Sequence, residues 1–527
     1  MEFARAVDQV ISAHMTELSK PGVLSVRPGY QAAGQWLTKK PAIVVTVDRK
    51  RDDLPPDQRL PETLGGFPVD VREADSLQKM RATNPTLFAG VAAAARPEME
   101  RPVFPYERDL SGQSLIPVAA EAAAPHRPTK PQIAYTSPEG VTLDAIEDAF
   151  TITCHASPDA GWPTLKPFLE GIHNRLTVGM YDFTSAHVLD TVKGSASGKK
   201  LNLVLDHPAP NKTRDQTDED TRAALEEELS GNLTFAWALE RADPMAAAWI
   251  FPNAYHIKVA VRDGKAFWLS SGNFNNSNQP DIDPVRDPAG SAAVARKSDR
   301  DWHVIVEHQG LAAVFEAYLR HDLEVAAQNQ MASGAQAAAL LGALGELAEP
   351  QMTIAPRVPK QYFEPHTITA TRMKIQPILT PDNYLAQILP LINGAKRSFY
   401  MQTQYIHPSD KEGDEGLTAL IKAVAQKVRD GLDIRLILSQ YETLDKLELL
   451  QDAGIDLSHV RIQANVHNKG MIVDSSIVAL GSQNWSADGV IRNRDATLII
   501  YNEEAAKYWQ QIFIHDWTNM AAQQAAD

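Results

Sequence analysis

Two stretches of the chain carry the same residue types at the same spacing. Tyr255-His256-Ile257-Lys258-Val259-Ala260-Val261-Arg262-Asp263 and Val466-His467-Asn468-Lys469-Gly470-Met471-Ile472-Val473-Asp474 both read His-x-Lys, four further residues, then Asp. Ten residues beyond each Asp stands an Asn: Asn273 in Ser270-Ser271-Gly272-Asn273 and Asn484 in Gly481-Ser482-Gln483-Asn484. Val259-Ala260-Val261 and Met471-Ile472-Val473 have strand-forming composition, and residues two apart on a strand share a face. Arg262-Asp263-Gly264 predicts a hairpin turn that returns through Ala266-Phe267-Trp268-Leu269. That hairpin brings Asn273 back beside His256. Each copy then supplies an imidazole, an ammonium and an amide to one spot. Two copies about a pseudo-twofold axis make one pocket with two His, two Lys and two Asn.

Such an inventory suits a phosphodiester. Lysine gives fixed positive charge and asparagine gives neutral donors to the non-bridging oxygens. A neutral imidazole can attack phosphorus and form a phosphohistidine. A second, protonated imidazole can donate to the leaving oxygen, then activate water or an alcohol. The expected chemistry calls for no cofactor and no metal, because protonated lysine does not ligate one and carboxylates are few at the motif.

The elements that position these residues also come in two copies. Ser157-Pro158-Asp159 is echoed by Thr380-Pro381-Asp382. A helical run and a strand follow each, Leu176 to Tyr181 in the first copy and Ser398 to Thr403 in the second. The apolar runs Leu201 to Leu205 and Ile434 to Leu438 suit buried strands. Arg300-Asp301 matches Arg494-Asp495, and His321-Asp322 matches His515-Asp516, both pairs 194 residues apart. The expected fold is α/β: two pseudo-symmetric α/β/α repeats packed together, plus a small N-terminal α/β module. The expected boundaries are 1–76 for the module, 77–135 for a Pro-rich linker or strap, 136–330 for repeat 1, 331–372 for the connection and 373–527 for repeat 2. In the module, Phe3, Val7, Val10, Ile11, Met15 and Leu18 follow helical spacing, and Ala42–Val47 and Val69–Val71 read as strands. Pro97, Pro102, Pro105, Pro117, Pro125, Pro128 and Pro131 punctuate the strap. Ala335 to Leu347 reads as a helix between the repeats.

Composition narrows the partners. Lys plus Arg number 51 against 66 Asp plus Glu, a net charge of -15, which excludes a generally basic nucleic-acid coat. One cysteine, Cys154, excludes an intrachain disulfide and a Cys-cluster zinc site. No apolar run approaches the ~18 residues of a membrane span, and the start lacks a signal-peptide layout. The expectation is a soluble, cytoplasmic protein.

With these motifs the sequence resembles the phospholipase D superfamily, whose double signature is this His-x-Lys-x4-Asp followed by Gly-Ser-x-Asn. The resemblance spans about residues 140–527. Gly481-Ser482-Gln483-Asn484-Trp485-Ser486 follows the pattern, while Ser270-Ser271-Gly272-Asn273 departs from it in its first residues. Phe399 to Tyr405 also resembles the strand that precedes the family's second motif. The resemblance implies His256 as nucleophile and His467 as general acid/base, with the exchange of those roles left open. It implies Lys258, Lys469, Asn273 and Asn484 as phosphate ligands, and Asp263 and Asp474 as structural hairpin residues. It also implies a later carboxylate that orients the imidazole. Asp495, 28 residues after His467, fits that role, as does Asp301, 45 after His256. The difference is a 17-residue insertion in the first copy around Asp281-Ile282-Asp283-Pro284.

The leading expectation is a metal-independent phosphodiesterase acting on phospholipid by hydrolysis or headgroup transfer, completed within one chain and touching the membrane peripherally. Trp249, Ile250 and Phe251 are candidates for an apolar rim. A nuclease is the alternative, with Lys199, Lys200, Lys212 and Arg214 as candidates for a basic groove. A non-catalytic scaffold whose N-terminal module recruits a protein partner is the third reading, and it predicts motif residues that fail to converge. The bland readings are ion pairs of Arg300 and Arg494 with their neighbouring aspartates at the surface, and packing or capping roles for His321-Asp322 and His515-Asp516. They also include structural roles for His155 and His207, core packing for Trp268, a wall or core place for Trp485, and a solvated helix start at Asp215, Asp218, Glu219 and Asp220.

Overall fold

The computed structural model describes residues 3–51, 53–85, 104–111, 135–206, 215–240, 248–249, 254–328, 351–409 and 413–523. Lys212, Arg214, His207, Ile250, Phe251, the Ala335–Leu347 run and most of the strap's prolines lie outside them, as does the side chain of Trp249.

The N-terminal module is a five-stranded sheet with a helix, Ala4–Ala13, whose Val7 and Ile11 pack into its core. Its strands are β1 (Val23–Ala33), β2 (Trp36–Val47), β3 (Thr63–Leu64), β4 (Phe67–Glu73) and β5 (Arg108–Asp109), in the order β3-β4-β2-β1-β5. β5 comes from the stretch expected to be strap, because Ser25 and Val26 of β1 pair with it. The module is clamped to repeat 2. Arg27 is completely buried, stacks on Phe104, and donates to Glu448 at 2.8 Å and Asp445 at 2.8 Å on helix Leu444–Asp452. Arg72 reaches the same two carboxylates, and Leu37 joins the hydrophobic core of repeat 2.

Among the described residues, the rest of the chain builds a fifteen-stranded sheet and a separate two-stranded ribbon. Repeat 1 supplies β6 (Ile146–Ser157), β7 (Arg175–Met180), β8 (Lys200–Leu205) and β9 (Leu233–Trp237). A short ribbon, β10 (Leu239–Glu240) and β11 (Ala248–Trp249), lies apart, and β12 (Lys258–Arg262), β13 (Ala266–Ser270) and β14 (Asp301–Glu307) complete the repeat. Repeat 2 supplies β15 (His366–Thr380), β16 (Ser398–Thr403), β17 (Asp433–Ser439), β18 (Val460–Gln463), β19 (Lys469–Val473), β20 (Ile477–Gly481) and β21 (Asp495–Tyr501), with β22 (Ala522–Gln523) at the edge. Read outward from the centre, β6-β14-β13-β12-β7-β8-β9 mirrors β15-β21-β20-β19-β16-β17-β18. Of the parallel strands, β7, β8, β16, β17 and β18 are mostly buried, which explains their apolar runs, while β9 at the edge is mostly half-exposed.

β6 and β15 pair antiparallel and fuse the two repeats. β15 therefore begins at His366, inside the stretch expected to be connection. Its alternation Thr367-Ile368-Thr369 sets threonines against Thr153 and Thr151, at 3.0 and 3.1 Å, with Ile368 inward. The insertion in repeat 1 contains helix Pro288–Ala295.

Candidate active site

The His-x-Lys segments run onto β12 and β19, and each returns through its hairpin to the Asn. Asp263 and Asp474 occupy left-handed turn positions, φ 56 and 53. Asp263 accepts from the backbone N–H groups of His173, Asn174 and Arg175, and Asp474 from those of Lys396, Arg397 and Ser398. Each motif aspartate thus pins its hairpin to the start of the neighbouring strand. Burial works against the charged form, but the three N–H donors outweigh it, so both pKa values are lowered.

The imidazoles are oriented across the repeats. Nδ1 of His256 lies 2.8 Å from Asp495, and Nδ1 of His467 lies 3.0 Å from Asp301. Sequence distance suggested carboxylates within the same copy, and the pairs are instead crossed. The backbone explains why. Arg300 N–H donates to Asn465 O, His467 N–H donates to Arg300 O, and Arg494 N–H donates to Ala254 O, so each histidine segment runs alongside the Arg-Asp segment of the other repeat.

Arg300 and Arg494 are buried clamps rather than surface partners of their neighbouring aspartates. Arg300 binds Asp159 at 3.1 Å and Asp516 at 2.8 Å. Arg494 binds Asp382 at 2.8 Å and Asp322 at 3.0 Å, and stacks on Tyr135. Each guanidinium takes one carboxylate from its own repeat and one from the other. Asp322 and Asp516 therefore lock the repeats together. His321 reaches the Thr136 carbonyl, and His515 contacts Asp516.

Charge is concentrated at this junction. Lys258 Nζ donates to the His256 carbonyl at 2.6 Å, and Lys469 Nζ to that of His467. Burial, and then Lys469, hold Lys258 well below the usual lysine range. Burial and Lys258 lower His256, against the pull of Asp495. Burial and Lys469 hold His467 at about 3, against Asp301. Burial opposes ionisation of Asp301, yet the surrounding His467 and Lys469 bring it down to about 2, and Asp495 is lowered in the same way by His256 and Lys258. At neutral pH both carboxylates are ionised and both imidazoles neutral. Nδ1–H then donates to the carboxylate, and Nε2 keeps its lone pair. The histidines and lysines of the two repeats lie close enough for the charge of Lys469 to lower His256 and that of Lys258 to lower His467. Asn273 and Asn484 are buried with side-chain oxygens that meet no donor.

Several contributors were not singled out from sequence. Ser271 Oγ donates to Asp301 at 2.6 Å, and Ser482 bonds Asp495, so the motif serines hold the orienting carboxylates. Tyr181 sets its ring edge-on to His256, centroids 4.9 Å apart, with Lys258 Nζ 5.0 Å from its centroid. Gln404 occupies the matching place in repeat 2, because Lys258 pairs with Met180 as Lys469 pairs with Thr403. Gly470 leaves room for Trp302 of repeat 1; a Cβ there would lie 2.2 Å from the indole. The departure at Ser270 also has a reason. Its hydroxyl bonds His303 at 2.6 Å, whereas at Gly481 a Cβ would meet Thr497.

Other expectations fall outside the site. His155 is buried against His303. Trp485 is core, donating to the Tyr384 hydroxyl at 3.0 Å, and Trp268 is core. Asp218 is buried and accepts from Phe183 N–H, while Thr217 and Asp220 form a capping box, so the acidic cluster is only partly solvated. Lys199 donates to the Ile172 and Ser195 carbonyls, and Lys200 opens β8. Both sit at the amino end of β8, whereas Met180 opposite Lys258 lies at the carboxyl end of its parallel neighbour β7. They line no groove beside the histidines. No helix among the described residues is long and apolar enough to cross a membrane.

Fold and site define a duplicated α/β protein in which two crossed His–Asp pairs and two buried lysines meet where the repeats join. A profile described as "Cardiolipin synthase, PLD-like domain" matches residues 388–517. The cardiolipin synthase of Staphylococcus aureus (strain N315) is 28% identical over 148 residues, 26% of this chain and 28% of that protein. The match thus spans well under a third of the relative's own length. The phospholipase D of Rickettsia conorii is 29% identical over 156 residues, 29% of this chain and 72% of that protein. The solved phosphatidylserine synthase of Haemophilus influenzae aligns with 71% of this chain and 89% of its own, at 12% identity and TM-score 0.48. The carboxyl-terminal repeat is thus similar to the phospholipase D-like domain of these proteins.

Proposed function

We propose that the protein is a phosphodiesterase that works through a covalent phosphohistidine without a metal, and that its substrate is a phospholipid. The observation that carries this reading is the crossed arrangement: two neutral imidazoles, each on an ionised carboxylate of the opposite repeat, with Lys258 and Lys469 acting on both. The lipid assignment draws support from the names of the relatives, cardiolipin synthase and phospholipase D.

The phosphate seats between Lys258 and Lys469, with Asn273 and Asn484 donating to its non-bridging oxygens. Its negative charge raises both imidazoles and so admits the proton that the first step needs. Nε2 of His256 attacks phosphorus, and the bond to the leaving alcohol oxygen breaks as His467 protonates that oxygen. His467, now neutral, takes a proton from water or an alcohol, which attacks phosphorus and breaks the phosphorus–nitrogen bond. Asp495 supports the cation that develops on His256, and Asp301 holds His467 through both steps.

Acid-quench trapping with a labelled phospholipid and a labelled oligonucleotide tests the reading. Wild type should acquire label from the lipid, and His256→Ala none. With a 4-nitrophenyl ester, whose leaving group needs no acid, His467→Ala should accumulate label because deacylation-like release of the phosphoryl group lacks its base. Label from the oligonucleotide alone would replace lipid by nucleic acid, and label in His256→Ala would reverse the histidine roles.

A further inference from the structure

The two halves of the pocket are not equivalent just beyond Asn484. Residues 404–407 leave the carboxyl end of β16, and the last residue of β17 stays alongside them, Ser439 N–H donating to the Gln404 carbonyl at 3.0 Å. Carboxyl ends of parallel strands are where open α/β sheets bind ligands. Ile406 points into the core of repeat 2. Tyr405 and His407, one residue to either side, turn the other way and stack ring on ring, centroids 4.0 Å apart at 15°. The backbone N–H of His407 donates to the Trp485 carbonyl at 2.8 Å, one residue past Asn484. Glu442 Oε1 accepts from Ile406 N–H at 2.7 Å.

Three polar atoms here are buried and unpartnered: both ring nitrogens of His407 and Oε2 of Glu442. His407 is 9% exposed and Glu442 is 0% exposed. Leaving such groups unbonded is costly, and a ligand supplying the missing partners removes that cost. His155 shares the burial but sits on the sheet strand β6, packed at a tilt against His303. In repeat 1 the place of His407 is taken by Thr184, since the Phe183–Phe274 bridge matches Ile406–Trp485.

We propose that His407 and Glu442 form a hydroxyl-binding subsite on the His467 side of the pocket, which takes the neutral polyol part of a headgroup or acceptor alcohol. The proposal rests on the phosphodiester reading, in which His467 protonates the leaving oxygen and so faces the headgroup. A neutral imidazole offers one donor and one acceptor, the pair a hydroxyl needs. Burial, then Lys446, keep the ring neutral, and burial raises Glu442 against the pull of Lys446, which favours the protonated carboxyl that can donate. The Lys446 charge beside both groups disfavours a cationic headgroup, and the Tyr405 face that would receive such a cation is covered by His407.

Calorimetric binding of glycerol 3-phosphate and of phosphocholine to the full-length protein tests this. Wild type should prefer glycerol 3-phosphate roughly tenfold. His407→Phe, which keeps the stack on Tyr405, should bring the two affinities within about twofold, and His407→Asn should restore part of the preference. Where His407→Phe fails to fold, Glu442→Gln, which retains the acceptor for Ile406 N–H, should lower the preference in its place. Equal binding of both probes by wild type, or a preference untouched in every variant, overturns the subsite and leaves the phosphate site standing. Failure of wild type to bind either probe overturns the phosphodiester reading and the subsite with it.

Discussion

Replacing Asp495 with Asn isolates what the crossed carboxylate does for His256. Asp495 is fully buried, so no solvent compensates for the loss of its charge. The substitution keeps the size of the side chain and one hydrogen bond to Ser482 or His256. If the new amide nitrogen donates to Nδ1 at 2.8 Å, the imidazole proton moves to Nε2, the atom that must attack. If the amide oxygen faces the ring, the tautomer survives but the developing imidazolium loses its counter-charge. At ~4 Å and an effective dielectric of ~20 that interaction is worth about 4 kcal/mol, or roughly a thousandfold in rate. The tautomer penalty adds to it, and the expected loss is roughly 10³- to 10⁴-fold in the first step.

The assay is the burst of 4-nitrophenolate from bis(4-nitrophenyl) phosphate, whose leaving group needs no general acid. A double-mutant cycle then identifies the partner. Added to His256→Ala, Asp495→Asn should cost less than about threefold more, since its target is already gone. Added to His467→Ala, it should cost nearly its full factor. Asp301→Asn should show the mirror pattern, with the burst retained and turnover lost. A cycle in which Asp495 couples to His467 and adds to His256 would refute the crossed pairing and return each carboxylate to its own repeat.

Further expectations concern pH, packing and the module. In the empty pocket His256 lies below its usual value and His467 at about 3, whereas a bound phosphodiester anion raises both. Since kcat reports the substrate complex and kcat/KM the free enzyme, the limbs of the kcat profile should lie at higher pH; coincident limbs, or the reverse order, would contradict this. Gly470→Ala places a Cβ 2.2 Å from the Trp302 ring and should cost about 1–3 kcal/mol in urea unfolding, so an unchanged midpoint would mean the strands part freely. Arg27→Met leaves buried Glu448 with only Arg72, at 3.5 Å, and should cost about 3 kcal/mol, much of it recovered by Arg27→Met with Glu448→Leu. No loss in the single variant would show that the module is only loosely attached.

The shared strand face of each His and Lys, and the return of each hairpin toward its Asn, were legible because they rest on local rules: a two-residue period and a tight hairpin fixed by Asp263 and Asp474. The crossing was not legible. His256 and Asp495 are 239 residues apart and His467 and Asp301 are 166 apart, and no local periodicity says which copy a carboxylate serves. The sequence did hold a partial signal. Arg300-Asp301 and His321-Asp322 recur at one common offset, and the structure pairs Arg494 with Asp322 and Arg300 with Asp516. Reading those arginines as surface partners of their neighbours failed because adjacent residues on a strand face opposite ways. The start of β15 was missed for a different reason: its threonine alternation falls in a stretch whose Pro-containing approach reads as a connection.

A duplicated scaffold gives the two histidines the same neighbours, yet the reaction asks different things of them. The matched positions divide in a way that answers this. Those that carry charge are kept in both copies: the lysines, the orienting aspartates, and the arginines with their paired carboxylates. Those that fill space differ: Tyr181 against Gln404, Thr184 against His407, Trp302 against Ala496, Val259 against Gly470. A phosphodiester is symmetric at its two non-bridging oxygens and asymmetric in its two ester arms. Matched charges therefore suit the first, and unmatched shapes suit the second. On this argument the tyrosine side that touches His256 and the polar side beyond His467 decide which ester oxygen faces which imidazole. Exchanging Tyr181 and Gln404 between the copies should then weaken the preference for one histidine as nucleophile more than it weakens phosphate binding, and a swap that lowers both equally would show that the division of roles is set elsewhere.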